Sequence, residues 1–466
     1  MNTLTTRIAP LLAALLLAAC STVPELKQPE IEMPAAFKEP SQPLVAADGS
    51  SWKPAQPAEA QARGQWWLAF NDSALNALIF DATRANASLA VAAARVKQAR
   101  AIAGITDADR SVQLGAGAGA QRSRGNGTSY QAGLSASYEV DLFGRLGAAS
   151  SAAQADVQAS EATYKSVLLA LQADVAQTYF LLRETDAELD TLNRTVDLRA
   201  QSVKVNQSRY DNGDIGEFDL ARAKTELATA KAEAIGVQRR RAQQEHALAV
   251  LLGKPAANFT ADANPLADAV PLPSIPAGLP SKLLERRPDI TAAQRAMIAS
   301  NARIGAAKAA MFPALALTGD AGGASAGLSD LFKWSSRSWV LGALMSVPLL
   351  DGGRNKANVA RSEAVLEESV AAYRQSVLVA FADVEDNLAG LRILAGQAEQ
   401  VDAAVVSARR SADLARKLYD AGRSSYLDLL DAQRNLAAVE RSAVQLRGDR
   451  AVTTVALIRS LGGGWE

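Results

Sequence analysis

Tyr130-Gln131-Ala132-Gly133-Leu134-Ser135-Ala136-Ser137-Tyr138-Glu139-Val140-Asp141-Leu142-Phe143-Gly144-Arg145 is the stretch on which the fold turns. Ala132, Leu134, Ala136, Tyr138, Val140 and Leu142 alternate with Gln131, Gly133, Ser135, Ser137, Glu139 and Asp141. That is the period of a strand over Tyr130 to Leu142 with one apolar and one polar face. At Gly144-Arg145 the alternation stops. From about Arg145 to Arg209 the chain lacks proline and is rich in Ala, Leu, Gln, Glu and Arg. Proline disrupts helix interiors, so the stretch predicts one helix of ~65 residues, about 97 Å long.

Upstream, Ser111 to Gln121 alternates likewise, Val112, Leu114, Ala116, Ala118 and Ala120 against Gln113, Gly115, Gly117 and Gly119. Strands of about eleven residues with opposed faces match transmembrane strands around a wet lumen. A half-buried soluble hairpin has the same period. Ala314 to Gly322 and Trp339 to Leu349 form a second, weaker pair, in which Trp334 and Trp339 fit either a membrane interface or a core.

The long-helix region occurs twice. Gly144-Arg145 returns as Gly353-Arg354, Tyr164 as Tyr373, and Asp174-Val175 as Asp383-Val384. Tyr210-Asp211 returns as Tyr419-Asp420, Gly213 as Gly422 and Asp219 as Asp428, all at one offset of 209 residues (428 − 219). Two copies of one large unit follow, not a solenoid of short repeats. Prolines punctuate them: seven from Pro24 to Pro57, seven from Pro255 to Pro288, none between Pro57 and Pro255 and none after Pro348.

The expected organisation is a removed signal peptide at 1–19 and a lipid-anchored extended segment at 20–72. A first repeat at 73–255 holds a helix, a β-hairpin at 111–142 and a helix hairpin at 145–252. A proline-rich linker at 256–280 leads to a second repeat at 281–466, with hairpins at 314–349 and 354–460. The N-terminus rests on a Leu/Ala run from Leu11 to Ala19, too short to span a bilayer, ending in Leu17-Ala18-Ala19-Cys20. That pattern is a bacterial lipoprotein cleavage site with Cys20 acylated, and Ser21 favours the outer membrane.

Composition removes most catalytic classes. Lys+Arg 49 balances Asp+Glu 49, with one Cys, one His and 5% aromatics. No basic footprint for nucleic acid results, no disulfide framework, and no multi-cysteine metal site or cofactor box. His246 lies in a helical Gln/Arg-rich stretch without a ligand at useful spacing. Gly117-Ala118-Gly119 lacks the Lys-Ser/Thr of a phosphate loop. Arg286-Arg287-Pro288 reads as a helix start at Pro288. Roughly a fifth of the residues are Ala, which fits long helices packed through small side chains. Four strands cannot close a membrane barrel, and open edges are forbidden in lipid, so strands in a membrane require a closed oligomer.

Together these residues resemble the TolC-type outer-membrane factors of tripartite efflux systems, in the lipoprotein branch serving resistance-nodulation-division multidrug pumps. The carrying motifs are Cys20, Trp66-Trp67 with Phe70 and Asp72, Asp141-Leu142-Phe143-Gly144-Arg145, and Leu283-Leu284-Glu285-Arg286-Arg287-Pro288-Asp289-Ile290. Tyr426-Leu427-Asp428-Leu429-Leu430-Asp431-Ala432-Gln433-Arg434 and Leu461-Gly462-Gly463-Gly464-Trp465 complete them in family order. The resemblance implies a mainly α chain with a membrane β part, three copies forming a twelve-stranded outer-membrane barrel continuous with a long periplasmic α-helical barrel. It implies no catalysis: the trimer is an exit duct, reached from an inner-membrane pump through a periplasmic membrane-fusion adaptor protein. Loops 121–129 and 321–338 would face outside.

The helix turns carry the expected gate. Gly213 and Gly422 mark the reversals. The resemblance places Asp428 and Asp431 at the aperture, where six carboxylates of a trimer would favour cations; spacing alone reads them as solvated acids near a helix start. It also places Asp219 and Tyr419 in a tip latch. The family arginine aligns with Ser424, whereas this chain has Arg423 one residue earlier as the basic candidate. An exit duct for ABC-driven protein secretion and a trimeric coiled-coil surface protein are the competing readings.

Overall fold

A computed structural model describes residues 22–26, 37–38, 64–124, 127–267, 272–273, 275 and 286–463. The signal peptide, Cys20, most of the 20–72 segment, much of the linker and Trp465 lie outside the described residues.

Helices α1 (Ser73–Ala85) and α2 (Ala87–Ala108) lead to strands β1 (Gln113–Ser123) and β2 (Gly127–Val140). Helices α3 (Arg145–Asp211) and α4 (Glu217–Leu251) follow. The second copy runs α5 (Pro288–Ala309), β3 (Ala314–Ser325), β4 (Arg337–Ser346), α6 (Arg354–Asp420) and α7 (Tyr426–Ser460). α3 and α6 are each 67 residues long, α4 and α7 each 35. All four start and stop at the offset of 209 (354 − 145). Before the strand loops the offset is 201 (314 − 113), so the second copy carries eight extra residues between β3 and β4.

β2 and β4 end earlier than their alternation predicts, whereas β1 and β3 run on to Ser123 and Ser325. β2 stops at Val140 because Asp141 turns back to cap α3, accepting from Leu146 N at 3.1 Å and Gly147 N at 2.7 Å. β4 runs from Arg337 to Ser346 where Trp339 to Leu349 was expected. Pro348 has no N–H to give a ladder and restricts Val347 before it.

Two compact units cut across the repeat. The first is formed by residues 1–32, 92–164 and 288–377 and contains the sheet, antiparallel in the order β1-β2-β3-β4. Register decides its chemistry, since paired residues share a face. Leu114 pairs Ala136, Leu134 pairs Ala321, Tyr138 pairs Leu317, and Leu315 pairs Met345. One face is therefore apolar across all four strands. The other carries Gln113, Ser135, Ser137, Thr318 and Asp320. At the end where α3 and α6 begin, Phe143 stacks on Phe312 with centroids 4.8 Å apart, one ring from each copy. Thr22 donates to Phe143 O at 3.1 Å, and Asn301 Nδ2 to Pro24 O at 2.8 Å. Gly305 is required there: an added Cβ would sit 2.4 Å from Val23 Cγ2.

The second unit takes residues 33–91, 165–287 and 378–466. The motif residues Trp66 and Phe70 are buried, and Phe70 meets Phe180 at 5.1 Å. Asp72 caps α1 through Ala74 N and Leu75 N and receives Tyr179 Oη at 2.6 Å. Arg287, read above only as part of a helix start, is buried and paired with Asp383 at 2.9 Å. The return helices α4 and α7 carry a ladder one heptad apart: Arg434 grips Glu226, and Arg441 meets Glu233 at 3.3 Å.

Candidate functional site

The helix turns are built alike. Gly213 and Gly422 have φ of 79° and 69°, a left-handed conformation that a Cβ disfavours. Gly213 N donates to Tyr210 O at 2.9 Å and Asp214 N to Arg209 O at 2.8 Å. Gly422 N and Arg423 N repeat this on Tyr419 O and Leu418 O, at 2.9 and 2.8 Å. Both are Schellman closures, in which glycine lets the chain satisfy the last helical carbonyls. Turn geometry thus follows from one glycine in each copy.

The second turn flows directly into α7. Ser425 is the N-cap and Asp428 the third helical residue, joined as a reciprocal capping box. Asp428 Oδ2 accepts from Ser425 N at 3.0 Å and Ser425 Oγ at 2.7 Å, while Asp428 N donates to Ser425 Oγ at 3.2 Å. The Ser425 hydroxyl and amide hold the Asp428 carboxyl below the usual carboxylate range. Asp428 therefore stays charged while capping the helix. Asp431 stands one turn on, exposed, and shares a helix face with it.

Asp219, Tyr419 and Arg423 are not joined within one chain. The side chains of Asp219 and Arg423 have no hydrogen bond or ion pair among the described residues. Tyr419 instead takes Arg209: Nη1 donates to its hydroxyl at 2.6 Å, and the guanidinium lies 5.2 Å from the ring centroid. Tyr419 also packs on Tyr426 at 6.0 Å. Arg209 went unnoticed in the sequence because its partner lies on the other copy; nothing local marks it.

Two further charged groupings join the helices above the turns. Buried Arg199 donates to Gln433 Oε1 at 2.6 Å, and the Glu226–Arg434 pair lies on the same helix contact. Along α3, the fully buried Glu188 carboxylate receives Arg240 at 2.8 Å and Arg441 at 3.1 Å. Beside it Glu184 is pushed up to about 7, by burial first, then by Asp449 and Glu188, against the opposing Arg240. A signal for these pairs existed: acids at 226 and 233 face arginines at 434 and 441, seven residues apart in each copy.

No group of His, Cys, Asp or Glu among the described residues forms a metal cluster. No described helix is long and apolar enough to cross a membrane. A one-face-apolar sheet of four strands, feeding helices of 67 residues that reverse at glycine turns, defines one segment of a multi-chain β/α membrane channel.

The comparisons give that class its family. The model of the outer membrane efflux protein family matches residues 78–254 and 279–463, one match per copy. The solvent efflux pump outer membrane protein SrpC of Pseudomonas putida is 36% identical over 472 residues, covering 98% of each chain. The cation efflux system protein CusC of Escherichia coli (strain K12) is 33% identical over 468 residues, covering 98% of this chain and 99% of its own. A crystal structure of CusC superposes with a TM-score of 0.84 at 31% identity, covering 96% of this chain and all (100%) of that one. The open state of the Neisseria gonorrhoeae MtrE outer membrane channel gives 0.83 at 30%, covering 96% and 98%. The chain belongs to the outer membrane efflux protein family. It is an outer-membrane exit duct of an efflux system, with the fold of trimeric channels that join a β-barrel to an α-helical barrel in the periplasm.

Proposed function

We propose that three copies form a passive duct whose periplasmic aperture is lined by Asp428 and Asp431 and docks a periplasmic membrane-fusion adaptor protein. An inner-membrane resistance-nodulation-division pump supplies the driving force. The cargo is drugs or other small toxic compounds, and the relatives' names speak of solvent and cation efflux. The observation that carries this reading is the α7 start, where one helix face aligns a charged capping acid with an exposed acid one turn on. In threefold symmetry these six carboxylates repel one another and favour cations, so closure needs counter-charge from Arg423 or Arg209. The latch of Asp219, Tyr419 and Arg423 then runs between neighbouring chains, with Arg209 holding Tyr419 in place.

Cys20 is the lipid anchor in this reading. Its support is the packing of Thr22, Val23 and Pro24 against Phe143, Gly305 and Asn301 at the helix end of the sheet. Several acyl chains secure the membrane, where one chain binds only marginally. The partner assignment is tested by a photo-crosslinker at position 219 in cells that express the full system. Capture of the membrane-fusion adaptor supports it; capture of an ABC-linked adaptor alone replaces it with a secretion duct.

A further inference from the structure

The eight extra residues of the second copy form a structured rim. Between β3 and β4 the chain makes two short helical turns, Leu328–Asp330 and Trp334–Ser336. Leu331 is buried as their anchor, Ser336 Oγ donates to Asp330 O at 2.7 Å, and Lys333 N to Asp330 O at 3.1 Å. On this fixed scaffold Leu328, Phe332 and Trp334 are 62%, 76% and 83% exposed. Three large apolar side chains held outward by an ordered loop require something to cover them.

Register and charge identify the cover. Gly323 pairs Arg337, Ala321 pairs Trp339 and Gly319 pairs Leu341, so Arg337 and Trp339 stand on the sheet's apolar face. Arg337 is the last position of that face, at the loop end of the sheet, away from the starts of α3 and α6. Its guanidinium lies 5.0 Å from the Trp334 ring centroid. Among the described residues no carboxylate pairs with it, whereas Lys333 is taken by Asp330 at 2.7 Å. Ten strand residues tilted at about 40° climb roughly 25 Å, the height of an apolar band. That sets Arg337 and the two tryptophans at the level of the outer headgroups. A guanidinium there avoids the hydrocarbon by meeting a phosphate, to which it binds in fork geometry. Tryptophan prefers the same depth.

We propose that Trp334, Arg337 and Trp339 form a binding site for the phosphate of an anionic outer-leaflet lipid, with Phe332 among its acyl chains. The site rests on the barrel reading above, since the apolar face must face lipid. The test uses the full-length protein and native mass spectrometry with added bisphosphorylated lipid A and its dephosphorylated form. Trimers should retain the phosphorylated lipid; Arg337→Gln should weaken retention about tenfold and Arg337→Lys recover part of it. Equal retention by the wild type and Arg337→Gln overturns the site, as does an equal loss for both lipids. Failure to find trimers at all counts against the barrel reading instead. In vesicles holding brominated-chain lipid, the emission lost in Trp334→Phe should be the quenched component. An unquenched Trp334 overturns the insertion.

Discussion

Tyr419 and Glu184 show what individual side chains decide. Tyr419→Phe keeps the ring on Arg209 and Tyr426 but removes the hydroxyl that Arg209 reaches at 2.6 Å. A loss of about 1 kcal/mol is expected for this part-exposed contact. It should be read as faster amide exchange across residues 418–426; unchanged exchange would show that Arg209 does not hold the turn. Glu184 makes the chain sensitive to pH. Its folded value of about 7 lies above the ordinary 4.5, so between these values the folded protein holds a proton that the unfolded chain has released. Stability from this group falls as pH rises through that window. Glu184→Gln should flatten the fall in Tm between pH 5 and pH 8; a variant as pH-sensitive as the wild type would remove Glu184 as its cause. Legibility in sequence differs sharply here. Ser425 three residues before Asp428 is a readable capping pattern. Arg209 touching Tyr419 and Asp449 acting on Glu184 join distant stretches, and no local pattern announces them.

At the scale of elements, the duplication was the strongest thing the sequence offered. One offset joined Gly144 to Gly353 and Gly213 to Gly422, and four helices obey it to the residue. Strand faces were legible as well, because alternation fixes the side whatever the exact ends. The ends were not, because Asp141 acts as a cap and Pro348 limits the ladder, effects that alternation does not encode. Packing between helices was hidden too, and Gly448 is an example. An added Cβ there would lie 2.3 Å from Glu184 Oε2 and 2.6 Å from its Cγ. Gly448→Ala should therefore destabilise by about 1–3 kcal/mol despite the better helix propensity of alanine. A variant with a Tm at or above that of the wild type would mean that α7 and α3 do not pack at this distance.

The whole molecule explains why one chain is incomplete. α3 and α6 are copies of equal length, yet α3 buries Ala173, Val175, Ala176, Tyr179, Phe180 and Leu182. Along α6 the residues at the same offset are Ala382, Val384, Glu385, Leu388, Ala389 and Leu391, of which only Val384 is buried. A helix that its twin shows how to bury, on a chain that repeats itself, calls for a neighbouring chain. The sheet says the same, with β1 and β4 as unpaired edges. Head-to-tail contacts of this kind close into a ring, and only a closed ring removes the edges from lipid. The competing coiled-coil surface protein has no use for a hairpin in each copy. The most direct test is planar-bilayer recording of the purified full-length protein together with Asp428→Ala/Asp431→Ala. Discrete conductance steps are expected, cation-preferring in the wild type and less so in the double variant. Absence of any step from either protein would contradict the duct itself, and equal ion preference would release the two acids from the aperture.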